Sequence, residues 1–209
     1  MGGDSIAQAR QSLLHALERL CPKDAFSIIE FNSNYRAFFN SAVPANTHYL
    51  QQARQMVKGL TAGGGTEMLP ALQRALQQAA SAGEERDPGS VRQVVFITDG
   101  AVGNEDQLFA EIARAVGDSR LFTVGIGAAP NSWFMRKAAQ FGRGSHTHIG
   151  NIAEVAEKMQ DLFRLISSPV TTNMTITWPW SVEAYPARVP DLYLDEPLLV
   201  AFKYSEEAT

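Results

Sequence analysis

The chain has 209 residues, of which 45% are apolar and 19% are charged, and its formal net charge is -4. This composition excludes an intrinsically disordered chain, and the negative charge argues against a nucleic-acid binder held by phosphate contacts. The longest apolar stretches, such as residues 198–202, are too short to span a membrane. The length suits one domain with its own core plus an additional segment.

The sequence pattern in the first part of the chain predicts an amphipathic helix, then a hairpin, then a second amphipathic helix. Apolar residues at helical spacing predict helices over residues 5–20 and 47–60. Between them, residues 25–31 form a strand candidate, and residues 35–39 are its partner across a polar turn. We expect Cys21, at the end of the first helix, to be a small buried side chain rather than a reactive thiol.

Three glycines at 63–65 interrupt the chain, and from residue 91 to residue 166 strands and helices alternate. A helix over residues 69–81 is followed by a polar surface loop over residues 83–90. The strand candidates that follow are residues 91–98, 121–125 and 145–149, and the helix candidates are residues 105–116, 131–141 and 152–166. This alternation is typical of a doubly wound, mostly parallel sheet with helices on both faces, which places the chain in the α/β class.

The pattern changes at Pro169. Residues 171–178 and 198–204 are strand candidates, prolines interrupt the stretch between them, and acidic residues outnumber basic ones. We therefore predict a C-terminal β extension outside the α/β layers. Trp178 and Trp180 could anchor a partner, although burial against a neighbouring β domain is the more ordinary role.

Two loops at the predicted carboxyl edge of the sheet are candidate ligand sites, because open parallel sheets bind ligands there. Thr66 follows the three glycines and precedes a helix, and Asp99 with Gly100 ends a buried strand. A hydroxyl and a carboxylate brought together suit a hard cation such as magnesium. Each loop also has a purely structural interpretation, since Thr66 could cap its helix and Asp99-Gly100 could form a simple turn.

Two further patterns are weaker. Gly125 and Gly127 suggest a dinucleotide loop, but Pro130 stands where a third glycine belongs, so a strand-to-helix turn is favoured. His146 and His148 share one face of a strand, and without a third ligand nearby a solvated face is a simpler interpretation than a metal pair.

Taken together and in this chain order, these stretches resemble the von Willebrand factor A domain with its metal-ion-dependent adhesion site. The resemblance is in particular to the subgroup found in inter-alpha-trypsin inhibitor heavy chains and their bacterial relatives. It covers nearly the whole chain and implies an A domain over residues 1–168 and a β-rich extension over residues 169–209. The stretches that carry it are residues 63–68, 94–105, 121–127, 185–186 and 189–193.

The resemblance implies a metal site for Mg²⁺ or Mn²⁺, with Thr66 as a direct hydroxyl ligand and Asp99 as a carboxylate acting directly or through water. The family's third element, Asp-x-Ser-x-Ser at the end of the central first strand, is usually followed by Met-Gly. This chain begins with Met-Gly-Gly, which implies that the strand and its ligands are missing. Ser5 falls past the motif and into the helix, so we do not expect it to substitute. With two of roughly six ligands, we expect weak metal binding or none.

The missing strand has a structural consequence. In the family it lies between the strands that correspond to residues 25–31 and residues 91–98. Its loss leaves two edges with unpaired backbone groups, so we expect the chain to close the gap, to dimerise or to be marginally stable.

The resemblance implies a non-catalytic, adhesion-type protein-binding module. Its intact site would hold a divalent cation and an acidic side chain of a protein partner, with binding coupled to a shift of the last helix, residues 152–166. The alternative is a structural domain that packs on an upstream β domain and has no metal role. An enzyme is least favoured, because no nucleophile–base pair or phosphate loop is visible. Relatives of this subgroup are often secreted or surface-attached, so the resemblance suggests a secreted, periplasmic or cell-surface location for a full-length protein, and the chain itself assigns no location.

Overall fold

The structure is a computed structural model that describes residues 3–81, 90–100, 103–128, 130–167, 169–171, 174–186, 189, 191–193 and 197–204. The helices are α1 (Asp4–Arg19), α2 (Thr47–Lys58), α3 (Met68–Ser81), α4 (Glu105–Ala115), α5 (Ser132–Phe141) and α6 (Val155–Ile166). The strands are β1 (Ala25–Phe26), β2 (Ile29–Phe31), β3 (Tyr35–Ala37), β4 (Val43–Pro44), β5 (Gln93–Thr98), β6 (Arg120–Ile126), β7 (Arg143–Ile149), β8 (Pro169–Thr171), β9 (Val182–Tyr185), β10 (Leu192–Tyr193) and β11 (Ala201–Tyr204).

A parallel sheet of β5, β6 and β7 forms the centre of the fold. The strands lie in that order, and Gln93 is opposite Arg120 at one end of the first pair while Thr98 is opposite Gly125 at the other. Every residue of β6 is buried, as expected for a central parallel strand covered on both faces. The predicted α/β class is confirmed.

Alternate side chains of these strands enter two separate cores. Val94, Phe96 and Leu121 pack on one face with apolar residues of α3, α4 and α5. Phe122 and Val124 pack on the other face with Ala9 and Ala16 of α1 and the buried stripe Val155, Met159, Leu162 and Ile166 of α6. Because successive strand side chains point to opposite faces, a continuous apolar run supplies both cores, and the layers are doubly wound as predicted.

The predicted hairpin is present but shorter than expected. β2 and β3 pair antiparallel, with Ile29 opposite Ala37. The predicted strand over residues 25–31 is divided in two, because β1 pairs instead with β4, which the sequence analysis did not predict. α1 and α2 cover this side through a third core that contains Leu17, Phe26 and Val57.

The two edges expected to lack a strand between them are separate in the structure. Within the described residues, β5 pairs only with β6 and β2 pairs only with β3. The rings of Phe31 and Phe96 stack across this boundary, with centroids 5.3 Å apart and planes 6° from parallel. Side-chain packing, not strand pairing, therefore connects the hairpin to the parallel sheet.

The extension forms two small antiparallel pairs, β8 with β10 and β9 with β11. The prediction of a strand over residues 171–178 was wrong, since β8 ends at Thr171 and residues 174–178 belong to no strand. The extension is attached through the buried ion pair of Arg120 and Asp191 and through Tyr193, whose ring packs edge-on to Phe122. The pairing that decides these strands is with distant residues, which local patterns do not show.

Three other expectations have different outcomes. Cys21 is exposed, so its predicted burial was wrong: α1 ends at Arg19, and Cys21 lies in a surface turn in which its N–H donates to the Asp24 carboxylate at 2.6 Å. Most of the predicted loop over residues 83–90 lies outside the described residues. In the part of the chain that the structure describes, no helix combines the length and apolarity that a bilayer crossing requires.

Candidate functional site

The carboxyl ends of β5 and β6 lie side by side and form the candidate site, which we call the carboxyl edge. β5 ends at Thr98 and leads into Asp99, while β6 ends at Ile126 and leads into Gly127. Gly127 has a φ of +87°, a backbone conformation that favours glycine. The loop containing Asp99 and the loop that begins at Gly127 therefore start from neighbouring strands at the same end of the sheet.

Ser5 and Asp99 both lie close to Gly127. A Cβ atom placed on Gly127 would lie 3.1 Å from the Ser5 hydroxyl oxygen and 3.9 Å from the Asp99 Cβ. Ser5 is in the first turn of α1, as predicted, and yet its hydroxyl reaches the carboxyl edge. The sequence feature that could have indicated Ser5 is its position at the start of a helix, because helices that cover a parallel sheet begin at its carboxyl edge.

Thr66 approaches the same edge from the glycine loop. A Cβ on Gly100 would meet the Thr66 methyl carbon at 2.8 Å and the Thr98 hydroxyl at 3.3 Å, so a larger residue at this position would require the Thr66 side chain to move. The Thr98 hydroxyl accepts the Gly100 N–H at 3.1 Å. The structure thus brings together the two loops that the sequence analysis selected, with Thr66 exposed next to Gly100.

The hairpin turn holds the glycine loop in place, which the sequence analysis missed. The Gly65 N–H donates to the Ser33 hydroxyl at 2.7 Å, and the Glu67 N–H donates to the Asn32 carbonyl at 2.7 Å. The Asn131 amide donates to the Glu105 carboxylate at 2.6 Å and links the N-terminal ends of α4 and α5. Polar side chains in turns are typical of many proteins, so their long-range partners cannot be read from the sequence.

The side-chain oxygens at the carboxyl edge are of the kind that a hard divalent cation prefers, but there are few of them. Ser5 and Thr66 offer hydroxyl oxygens and Asp99 offers a carboxylate, which are the oxygen ligands that Mg²⁺ and Mn²⁺ prefer. Within the described residues, no three or more His, Cys, Asp or Glu side chains gather as a metal-binding group. A cation with roughly six ligands would therefore take several of them from water or from a partner.

The two histidines of β7 have different environments. The Thr123 hydroxyl donates to the Met135 carbonyl at 2.9 Å, so it accepts from His146 Nδ1 at 3.1 Å. Burial lowers the pKa of His146, and the positive charge of Arg136 and the neighbouring His148 add to the effect. The interpretation of a solvated face holds for His148, which is exposed, and was wrong for His146, which is half-buried.

The opposite ends of the same strands, which we call the amino edge, hold the rest of the chain by long polar side chains. Gln93, the first residue of β5, donates to the Ile166 carbonyl at the end of α6 at 2.6 Å. Arg120, the first residue of β6, binds the Asp191 carboxylate with two nitrogens, and both side chains are at most 3% exposed. Arg143, the first residue of β7, donates to the Gly117 carbonyl at 2.9 Å.

The fold and the carboxyl edge together define a doubly wound α/β domain of the von Willebrand factor A type. A family model described as the von Willebrand factor type A domain matches residues 2–147. The chain belongs to this family, whose members are commonly protein-interaction modules.

Relatives and solved structures agree with this assignment. Human inter-alpha-trypsin inhibitor heavy chain H4 is 32% identical over 86% of this chain and 20% of its own length. The chain spans about a fifth of the length of the curated relatives it matches. A von Willebrand factor type A structure from Catenulispora acidiphila has a TM-score of 0.67 at 21% identity, covering 76% of this chain and 37% of the other. A proximal thread matrix protein from the mussel byssus, solved with a zinc-occupied MIDAS motif, has a TM-score of 0.55 at 13% identity, covering 77% and 42%.

Proposed function

We propose that this chain is a non-catalytic protein-binding module whose carboxyl edge holds a divalent cation weakly and presents it to an acidic side chain of a partner. The observation that carries the proposal is the meeting of Thr66, Asp99 and Ser5 at one end of the parallel sheet. Support comes from the family, in which protein interaction is common, and from a fold neighbour whose MIDAS motif contains zinc.

Each residue has a distinct role in this proposal. Asp99 supplies the negative charge, directly or through a water molecule, and Thr66 supplies a hydroxyl oxygen. Ser5 supplies a second hydroxyl from the other side of Gly127. A bound Mg²⁺ or Mn²⁺ would supply positive charge with open coordination positions, and a partner carboxylate is a hard oxygen ligand that suits such a position. Gly100 and Gly127 keep the edge free of side chains that would cover it.

Titration of the chain with Mn²⁺, followed by water-proton relaxation and calorimetry, tests the metal part of this proposal. Because protein ligands are few, we expect a dissociation constant no tighter than the millimolar range. Asp99→Ala and Thr66→Ala should each weaken binding further, by about tenfold for the loss of a ligand or its support. Asp118→Ala removes an exposed carboxylate just before β6, at the opposite end of the sheet, and is the matched control, which should leave binding unchanged.

Two results would contradict the proposal. One is Mn²⁺ binding that Asp99→Ala and Asp118→Ala reduce equally, since the ion would then be held by general surface charge. The other is the absence of any saturable binding at millimolar Mn²⁺. Tight binding that disappears in Asp99→Ala would instead show that our count of available ligands is too low.

A second candidate function is structural, namely packing of the extension against another β domain. We propose a boundary between residues 168 and 169, with the antiparallel pair of β9 and β11 as the contact. On one face of this pair, Phe202 and Tyr204 remain 48% and 52% exposed. The ring centroid of Trp178 lies 4.5 Å from that of Phe202, and the ring centroid of Trp180 lies 6.3 Å from that of Tyr204. The Trp180 side chain is 58% exposed. Such an aromatic face is typical of surfaces that contact another protein layer.

Sedimentation and binding of the dye ANS test the structural candidate. If this face is built to be covered, Phe202→Ser and Trp180→Ser should reduce dye binding and self-association at high concentration. Lys203→Ser, on the opposite face of β11, is the control and should change neither. Equal behaviour of all three variants would contradict a docking role for the aromatic face.

A further inference from the structure

Helix α5 carries a second apolar stripe besides the one that it buries. Its buried residues are Phe134, Met135, Ala138 and Ala139. Trp133 and Phe141, by contrast, are 53% and 43% exposed. They are eight residues apart with Lys137 midway, so all three lie along one side of the helix. We call Trp133, Lys137 and Phe141, together with Phe109 of α4, the α5 stripe.

The rings of the α5 stripe form one continuous surface. Phe109 lies between the other two, with its ring centroid 5.9 Å from that of Trp133 and 5.4 Å from that of Phe141. The Lys137 ammonium lies 4.5 Å from the Trp133 ring centroid and 5.9 Å from that of Phe109. Cation–π attraction therefore holds the positive charge over the rings, at the centre of an apolar surface.

Charge identifies the kind of partner that fits this surface. Lys137 has no ion-pair partner among the residues that the structure describes. On the neighbouring helix α4, Glu105 accepts a hydrogen bond from Asn131 and Glu111 pairs with Arg114. Covering the α5 stripe with a purely apolar surface would bury the ammonium without compensation, which is costly. The partner must therefore bring a carboxylate to the middle of the contact.

We propose that the α5 stripe is a docking surface for an amphipathic helix that places a carboxylate on Lys137 between two apolar side chains. Trp133 and Phe141 are separated by about 12 Å along the helix, or roughly two turns, from the helical rise. This spacing matches apolar residues two turns apart on a partner helix. The surface is separate from the carboxyl edge, so the inference does not depend on metal binding.

Selection from a displayed library of helical peptides, randomised along one face, tests this inference with the full chain as target. We expect the enriched peptides to carry Glu or Asp between two large apolar residues. Binding of the enriched peptide should fall at least tenfold in Trp133→Ala and in Lys137→Glu. Replacing the peptide's carboxylate residue with Lys should restore binding to Lys137→Glu, because exchange of charge across one contact preserves the attraction.

Lys58→Glu provides the matched control. Lys58 is an exposed lysine of α2, which packs in a core that contains no described residue of α4 or α5, so this variant makes the same change of charge away from the stripe and should bind normally. Circular dichroism of each variant checks the fold. Failure to enrich any acidic peptide would overturn the proposal, as would equal loss of binding in Lys137→Glu and Lys58→Glu. Concentration-dependent dimerisation that requires Trp133 would replace the proposed partner helix with a second copy of the chain.

Discussion

The two edges of the parallel sheet use the same three strands for opposite purposes. At the amino edge, Gln93 and Arg120 bury long side chains in contacts with α6 and with the extension. At the carboxyl edge, Thr66 and Asp99 are short, oxygen-bearing side chains close to glycines. The amino edge therefore connects parts of the chain, whereas the carboxyl edge is the face at which we propose that an outside group binds.

The two edges contain groups that affect different properties of the protein, stability at the amino edge and binding at the carboxyl edge. A buried ion pair with two hydrogen bonds favours a single arrangement of the chain. Removal of either partner strongly lowers the free energy of unfolding. Exposed hydroxyls and glycines contribute little to the fold and can change partners. We therefore expect substitutions at the amino edge to affect unfolding and those at the carboxyl edge to affect binding.

The largest expected effect is at the buried pair of Arg120 and Asp191. Asp191→Ala should lower the free energy of unfolding by about 3–5 kcal/mol, because it leaves the Arg120 guanidinium buried without a countercharge. Urea denaturation followed by circular dichroism measures the change. Replacing both residues at once, with Met and Leu, should recover much of the loss. A loss below about 1 kcal/mol in Asp191→Ala would contradict the view of the amino edge as the anchor of the extension.

Two glycines provide the next comparison, one near each edge. An alanine Cβ at Gly144, in β7, would lie 2.3 Å from the Leu121 carbonyl oxygen, so the backbone of β6 must move. At Gly127 the nearest contact is the Ser5 hydroxyl, which can rotate, and the cost comes from the positive φ. We expect Gly144→Ala to cost about 2–3 kcal/mol and Gly127→Ala about 1 kcal/mol in urea denaturation. A larger cost for Gly127→Ala than for Gly144→Ala would contradict this difference between the two edges.

Loss of a single neutral hydrogen bond should have a smaller effect. Gln93→Ala removes the donor to the Ile166 carbonyl and should cost about 1 kcal/mol. The variant should also increase hydrogen exchange at the end of α6, which mass spectrometry of the intact chain after digestion can detect. Gln107→Ala, an exposed change on α4, is the control. Unchanged exchange at the end of α6 would mean that Gln93 does not hold this helix.

The smallest effect concerns pH and His146. Because its pKa in the folded chain is lowered below the ordinary value of 6.5, the unfolded chain takes up the proton first as the pH falls. The contribution of neutral His146 to the free energy of unfolding is therefore complete above pH 6.5 and is lost as the pH falls through the lowered pKa. Comparison of urea midpoints at pH 7.5 and 5.5 should show a smaller decrease in His146→Gln than in the wild type. His148→Gln, an exposed neighbour, should behave like the wild type.

Much of this architecture was predictable because it depends on local patterns. The alternation of helices and strands from residue 91 to residue 166 follows from apolar spacing, and each predicted element of that stretch is present. The short strands of the extension were poorly predicted, because β8 and β9 are stabilised by distant partners, β10 and β11. The division of residues 25–31 into β1 and β2 has the same cause, since β1 pairs with β4.

The candidate site was predicted in part. The loops of Thr66 and Asp99 were predictable, because one precedes a helix and the other follows a strand of a parallel sheet, and the structure places both loops at one edge. Their metal role stays a prediction. The approach of Ser5 was not predictable from its place inside a helix, because it depends on where that helix begins relative to the sheet. The hydrogen bond from Gly65 to Ser33 could not be predicted, because the two residues are 32 positions apart.

Local sequence patterns predict the α/β class, the order of the main elements and the two loops of the carboxyl edge, because periodicity and turn residues act over a few positions. The attachment of the extension to the domain, and the side chains that remain exposed, depend instead on tertiary contacts. The Arg120–Asp191 pair depends on contact between residues 71 positions apart, and the α5 stripe depends on how α4 and α5 pack. Burial and charge compensation depend on the whole fold, so no local pattern could reveal them.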